Sequence, residues 1–174
     1  MAEDIAAVSA GGPDGPAASA FQAEGRTVPL DWIDYNGHMM DGYYFLAFAG
    51  ATDALLDHLG LGAGYRERTG SSIYTVESHI CFRAGVRAGD RLRYTSQILG
   101  YDAKRLHVFH WMLLPSGRDA ATNELMLLHV HRATEVVTAM PPQRLSAVGA
   151  LASEHAALPV PGLAGRRIAM QARD

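Results

Sequence analysis

The chain is expected to fold as one α+β domain, an antiparallel sheet wrapped around a long central helix. Two features of the sequence carry this expectation. From Asp41 to Leu59, the residues Tyr44, Phe48, Ala51, Leu55 and Leu59 recur at helical offsets of three and four. Beyond that segment, strand-like runs are separated mostly by tight turns, which favours antiparallel neighbours. A helix with so wide an apolar face needs a broad surface to pack on, and a sheet supplies one.

Residues 1–20 are rich in Ala, Gly and Pro and carry Glu3, Asp4 and Asp14 without Lys or Arg. They are expected to be a disordered tail and lack the basic start and apolar block of a secretory signal. The folded domain is expected over 21–158, opening on a strand through Arg26 to Leu30. The central helix follows, with Gly60 as its natural stop. Residues 72–82 read as a strand with imperfect alternation. In Arg91 to Leu99 the alternation is clean: Leu92, Tyr94, Ser96 and Ile98 share one face. Gly100 to Ala103 and Pro115 to Arg118 read as turns flanking a strand from Lys104 to Leu114. A further strand covers about Ala121 to Arg132, Pro141-Pro142 ends it, and Gln143 to Ala156 reads as a shorter helix. The Pro/Gly-containing stretch 159–174 is expected to be a flexible tail.

At 174 residues the length suits one domain, and a net charge of −3 gives no electrostatic case for nucleic acid or an anionic membrane. No apolar run approaches the roughly 18 residues a spanning helix needs, so no membrane partner and a cytoplasmic location are expected. Cys81 is the single cysteine, which excludes an internal disulfide. Its strand-like apolar setting suggests a buried, inert thiol. His107, His110, Glu124, His129 and His131 form no recognised zinc spacing, and no metal is expected.

The stretch from Asp31 to Tyr44 concentrates the chemistry. Asp34, Asn36, Gly37 and His38 fall immediately before the helix, whose N-terminal N–H groups attract developing negative charge. The backbone N–H groups of Met40, Asp41 and Gly42 are the candidate donors for an oxyanion, and Gly42 permits close approach of a ligand. This layout suits attack on a carbonyl. It is equally the layout of a turn capped by Asp34 and a helix capped by Asp41.

With this order and this loop, the chain resembles the hotdog-fold acyl-CoA thioesterases of the 4-hydroxybenzoyl-CoA thioesterase type. Their Asp-x-x-Gly-His-x-Asn pattern is matched by Asp34-Tyr35-Asn36-Gly37-His38-Met39-Met40. Closer similarity, to betainyl-CoA thioesterases of carnitine breakdown, rests on the blocks 31–39, 77–80, 104–110 and 121–130. Together they span about residues 24–142. One departure is Met40, where the pattern has Asn; a thioether makes no strong hydrogen bond.

The resemblance implies that Asp34 is the nucleophile or the base and that His38 polarises the carbonyl, orients Asp34 or carries a proton. It also implies a homodimer or homotetramer, CoA entering only as part of the substrate, and no other cofactor. Asn36 is a substrate contact or a turn residue. Glu77 and His79 alternate on one strand and are candidate partners of the Asp34 site. A trimethylammonium acyl group would need aromatic faces, and Trp32 and Tyr43 are the best placed. Arg83, Arg87, Lys104 and Arg105 are candidate contacts for the CoA phosphates. Two rival readings stand beside hydrolysis. Met40 in place of Asn keeps open a non-catalytic acyl-CoA-binding protein. An enoyl-CoA hydratase would show an Asp-x-Asn-Pro-x-His loop, whereas Gly37 follows Asn36 here.

Overall fold

The computed structural model describes residues 15–17 and 20–170. Most of the expected N-terminal tail, 1–20, therefore lies outside the described residues. The elements run β1 (Phe21–Thr27), a 3-10 turn (Leu30–Trp32), α1 (Asp41–His58), α2 (Ala63–Thr69), β2 (Ser71–Phe82), β3 (Arg91–Tyr101), β4 (Arg105–Leu113), β5 (Asp119–His131), β6 (Val136–Val137) and α3 (Pro142–His155). The sheet order is β1-β3-β4-β5-β2, with β6 beside β5, and every pairing is antiparallel. The chain is an α+β protein with the hotdog architecture, as its sequence indicated.

The helical stripe is the core seam. Tyr44, Phe48, Ala51, Leu55 and Leu59 are all 3% exposed or less. The helix stops where Gly60 takes φ +68°, letting Leu61 N–H donate to Leu56 C=O at 2.7 Å and Gly60 N–H to Asp57 C=O at 3.0 Å. Helix α2 had no counterpart among the expected elements; it is short, and only Tyr65 of its residues is buried.

The uneven alternation of β2 has a structural cause: a bulge between Thr75 and Glu77 shifts its register against β5. Past the bulge, Phe82 packs edge-on against Tyr44 of α1 with ring centroids 5.0 Å apart, and Ile80 packs into the same cluster. Residues 78, 80 and 82 therefore face the helix, while 77, 79 and 81 face away.

Under α1 lies a buried polar chain. Thr52 Oγ1 donates to Phe48 C=O (3.2 Å) and so accepts from His110 Nε2 (3.1 Å). That tautomer leaves His110 Nδ1 to accept from Ser96 Oγ at 2.7 Å. Burial pushes the His110 imidazole down to about 3, so it is neutral.

On the outer face, the stretch beyond α3 ties itself to the sheet. Gln97 Nε2 donates to Pro159 C=O (3.3 Å), and Gly165 N–H donates to Glu124 Oε2 (2.8 Å). Gln97, Phe109 and Glu124 lie side by side in register, so residues 159–165 cross directly over the buried Phe109. The flexible tail expected from 159 is thus anchored as far as Gly165.

Candidate active site

Asp34 sits in a tight loop closed by its own backbone: its N–H donates to His38 C=O (2.8 Å), and Gly37 N–H donates back to Asp34 C=O (3.0 Å). Gly37 carries φ +77°, a conformation that favours glycine at this reversal. The Asp34 carboxylate accepts three hydrogen bonds, from Asn36 N–H (2.8 Å), Asn36 Nδ2 (3.1 Å) and His38 N–H (3.2 Å). Partial burial pulls its carboxyl upward. The Asn36 amide, the two backbone N–H groups and the charge of His38 together outweigh that pull and hold it below the usual carboxylate value. Asp34 is therefore an ionised, oriented carboxylate at neutral pH. Asn36 belongs to this cradle, its backbone N–H and its side-chain amide both donating to Asp34.

The loop is stitched to its surroundings on two sides. Met40 N–H donates to Trp32 C=O (2.9 Å), and Met39 N–H donates to Val86 C=O (2.8 Å) in the connection between β2 and β3. Met40 is consequently spent as an oxyanion donor, a correction to the expectation for that residue. It is also the N-cap of α1, with no side-chain cap, so Asp41 occupies the first helical position rather than the cap. Among the described residues nothing accepts from the N–H of Asp41 or Gly42. These two donors form the open end of the helix. No side chain crowds the position of a Cβ on Gly42, which leaves its backbone approachable.

The aromatic pair is arranged differently from a waiting cage. Trp32 is 5% exposed, Tyr43 stacks on it at 4.8 Å and 12°, and the Arg26 guanidinium lies over it at 4.6 Å. The indole already holds a cation and a ring, and its buried faces are not open to a substrate cation. Tyr43, half-buried and on the first turn of α1, remains the aromatic at the surface.

Glu77 and His79 are not brought to Asp34 within one protomer. They lie on the face of β2 turned away from α1, His79 opposite Glu124 in register and 3.9 Å (Nε2) from Cys81 Sγ. Glu124 itself accepts from His107 Nε2 at 2.7 Å. Among the described residues no group of three or more His, Cys, Asp or Glu could hold a metal ion. Of the basic residues named for phosphate contact, Arg83 pairs with Asp119 (3.7 Å) and Arg105 with Asp102. The contribution of Arg26 was not singled out in the sequence; nothing local in an Ala-Glu-Gly-Arg-Thr strand signals a partner six residues on.

Comparisons with known proteins identify the family. The Thioesterase-like superfamily profile matches residues 28–148. A betainyl-CoA thioesterase of Pseudomonas aeruginosa PAO1 is 44% identical over 80% of this chain and 89% of its own length. An L-carnitine dehydrogenase/betainyl-CoA thioesterase of Agrobacterium fabrum is 46% identical over 79% of this chain, which spans only 28% of that longer protein. Among solved structures, a Staphylococcus aureus protein in complex with CoA superposes with TM-score 0.79 at 28% identity, covering 87% of this chain and 96% of that one. With the profile covering well over half of the chain, this protein belongs to the thioesterase-like superfamily.

Proposed function

We propose that this chain hydrolyses a short, polar, betaine-like acyl-CoA, with Asp34 driving attack on the thioester carbonyl. The protein is an acyl-CoA thioesterase by its relatives, and the observation that carries the finer reading is the pairing of an ionised Asp34 with the open Asp41 and Gly42 N–H groups. As a nucleophile, Asp34 adds to the carbonyl and expels CoA thiolate, leaving an anhydride that water cleaves. As a base, it takes a proton from water that adds instead. Either route consumes one water and passes through an oxyanion that the helix N-terminus stabilises. His38 assists from the same loop, and Tyr43 offers its ring to a cationic acyl group. The reaction needs no cofactor beyond the CoA of its substrate.

Homo-oligomerisation fits the surface. Strand β2 is a sheet edge 12 residues long carrying Tyr74 and Val76 about half exposed, and α1 exposes Phe45 and Leu46. An edge and an apolar patch of this kind favour a second copy. A partner is also the way Glu77 and His79 would meet an Asp34 loop. A cytoplasmic location accords with a chain in which, among the described residues, no helix is long and apolar enough to cross a membrane.

Free-thiol release from betainyl-CoA, acetyl-CoA and a benzoyl-type CoA ester tests the reading. Preference for betainyl-CoA is expected; preference for the benzoyl ester would refute the acyl assignment. The second reading, a non-catalytic acyl-CoA binder, is favoured by Met40 in place of Asn and would show tight binding without thiol release.

A further inference from the structure

The connection between β2 and β3 passes behind the Asp34 loop, and three successive residues of it touch the site. Ala84 C=O accepts from Tyr44 Oη (3.3 Å), and Val86 C=O accepts from Met39 N–H (2.8 Å). Between them lies Gly85, and the imidazole of His38 rests on it. A Cβ at Gly85 would stand 2.7 Å from His38 Nε2, 3.1 Å from Cγ and nearer still to Cδ2. Real side chains do not approach so closely, so any residue other than glycine displaces the ring. Gly85 does not have a left-handed φ, so it is space and not backbone strain that requires glycine here. The connection is itself fixed, because Arg83 N–H (2.9 Å) and Ala84 N–H (3.0 Å) both donate to Ala120 C=O. It therefore cannot retreat easily; the imidazole must swing away.

We infer that Gly85 is a positioning residue of the thioesterase site: its bare backbone is the seat that holds the His38 imidazole beside Asp34. This rests on the thioesterase reading above. Seating matters because the ring makes no side-chain hydrogen bond among the described residues. Steric contact with Gly85 therefore limits where the ring can sit. The other glycine of the same connection is unlike it: Gly89 meets nothing within 4 Å of an added Cβ.

The test is a double-mutant cycle of Gly85→Ala and His38→Ala. Gly85→Ala alone is expected to lower kcat about 10- to 100-fold, the usual effect of a misplaced group. In the His38→Ala background, with no ring to displace, the same substitution is expected to change kcat less than about two-fold, since coupled sites are non-additive. A structural role would cost the same in both backgrounds, and that outcome overturns the inference, as does a Gly85→Ala enzyme of full activity. An independent readout is the nuclear Overhauser effect between His38 Hδ2 and the Gly85 Hα protons. It is expected in the wild type, and its absence refutes the seat. A wild type that releases thiol from no CoA ester overturns the functional reading and with it the role of Gly85; an intact Overhauser contact would then mark the failure as one of function and not of geometry.

Discussion

Acidification should weaken this fold through His110, and the size of the effect follows from where that side chain sits. The imidazole is fully buried under α1, with Nδ1 accepting from Ser96 Oγ and Nε2 donating to Thr52 Oγ1, and it is pushed down to about 3. In the unfolded chain the same group takes up its proton near 6.5. The unfolded state thus binds more protons between those two values, so the stability is complete above about pH 6.5 and declines as pH falls toward 3. Between pH 7 and pH 5 the difference amounts to about 2 kcal/mol. Urea unfolding at both pH values and one protein concentration measures it. His110→Gln will be less stable at both pH values, but its loss between pH 7 and pH 5 should be smaller than that of the wild type by about 2 kcal/mol. His155, which burial also pushes down, stays in both proteins and cancels. An identical pH dependence in variant and wild type would refute the reasoning, since His110 would then titrate in the folded state as it does in the unfolded one.

Further expectations concern the site and its support. Protonation of Asp34 should not lower the rate at saturating substrate as pH falls through 6 and 5, because its carboxyl is held below the ordinary carboxylate value. The Asp34 acid limb should fall below about pH 4, as a pH–rate profile will show. Phe48→Ala, which empties the centre of the helix seam, should cost about 3–5 kcal/mol in denaturant unfolding. Tyr43→Ala should lower kcat/KM for betainyl-CoA about 2- to 30-fold relative to the neutral 3,3-dimethylbutanoyl ester, the range spanned by a cation–π contact. Equal losses on the two esters would remove Tyr43 from cation recognition.

What the sequence revealed and what it hid divide along a physical line. The α1 stripe was legible because burial of Tyr44, Phe48, Ala51, Leu55 and Leu59 follows from local periodicity alone. The strands of the β3–β5 meander were legible for the same reason, together with their turns. The position of Asp34 before a helix N-terminus was legible from neighbours in sequence. By contrast, which face of β2 carries Glu77 and His79 depends on a bulge and on Phe82 meeting Tyr44 some forty residues away in the chain. The loss of Met40 as a donor depends on Trp32 folding back onto it, and the occupation of Trp32 depends on Arg26 from another element. The anchoring of 159–165 needs Gln97 and Glu124 from two different strands. Each of these is a pairing between separate elements that no period along the chain encodes.

The most direct test of the account is the rate of Asp34→Asn on whichever CoA ester the wild type cleaves best, measured by thiol release beside a binding assay with CoA. Asparagine keeps an oxygen to accept from the Asn36 and His38 N–H groups but supplies neither a nucleophilic carboxylate nor a base. A loss of about 100- to 10,000-fold in kcat is expected, with CoA affinity unchanged. A variant that keeps its rate within about 10-fold of the wild type would contradict it, for hydrolysis would then run without the carboxylate around which the loop is built.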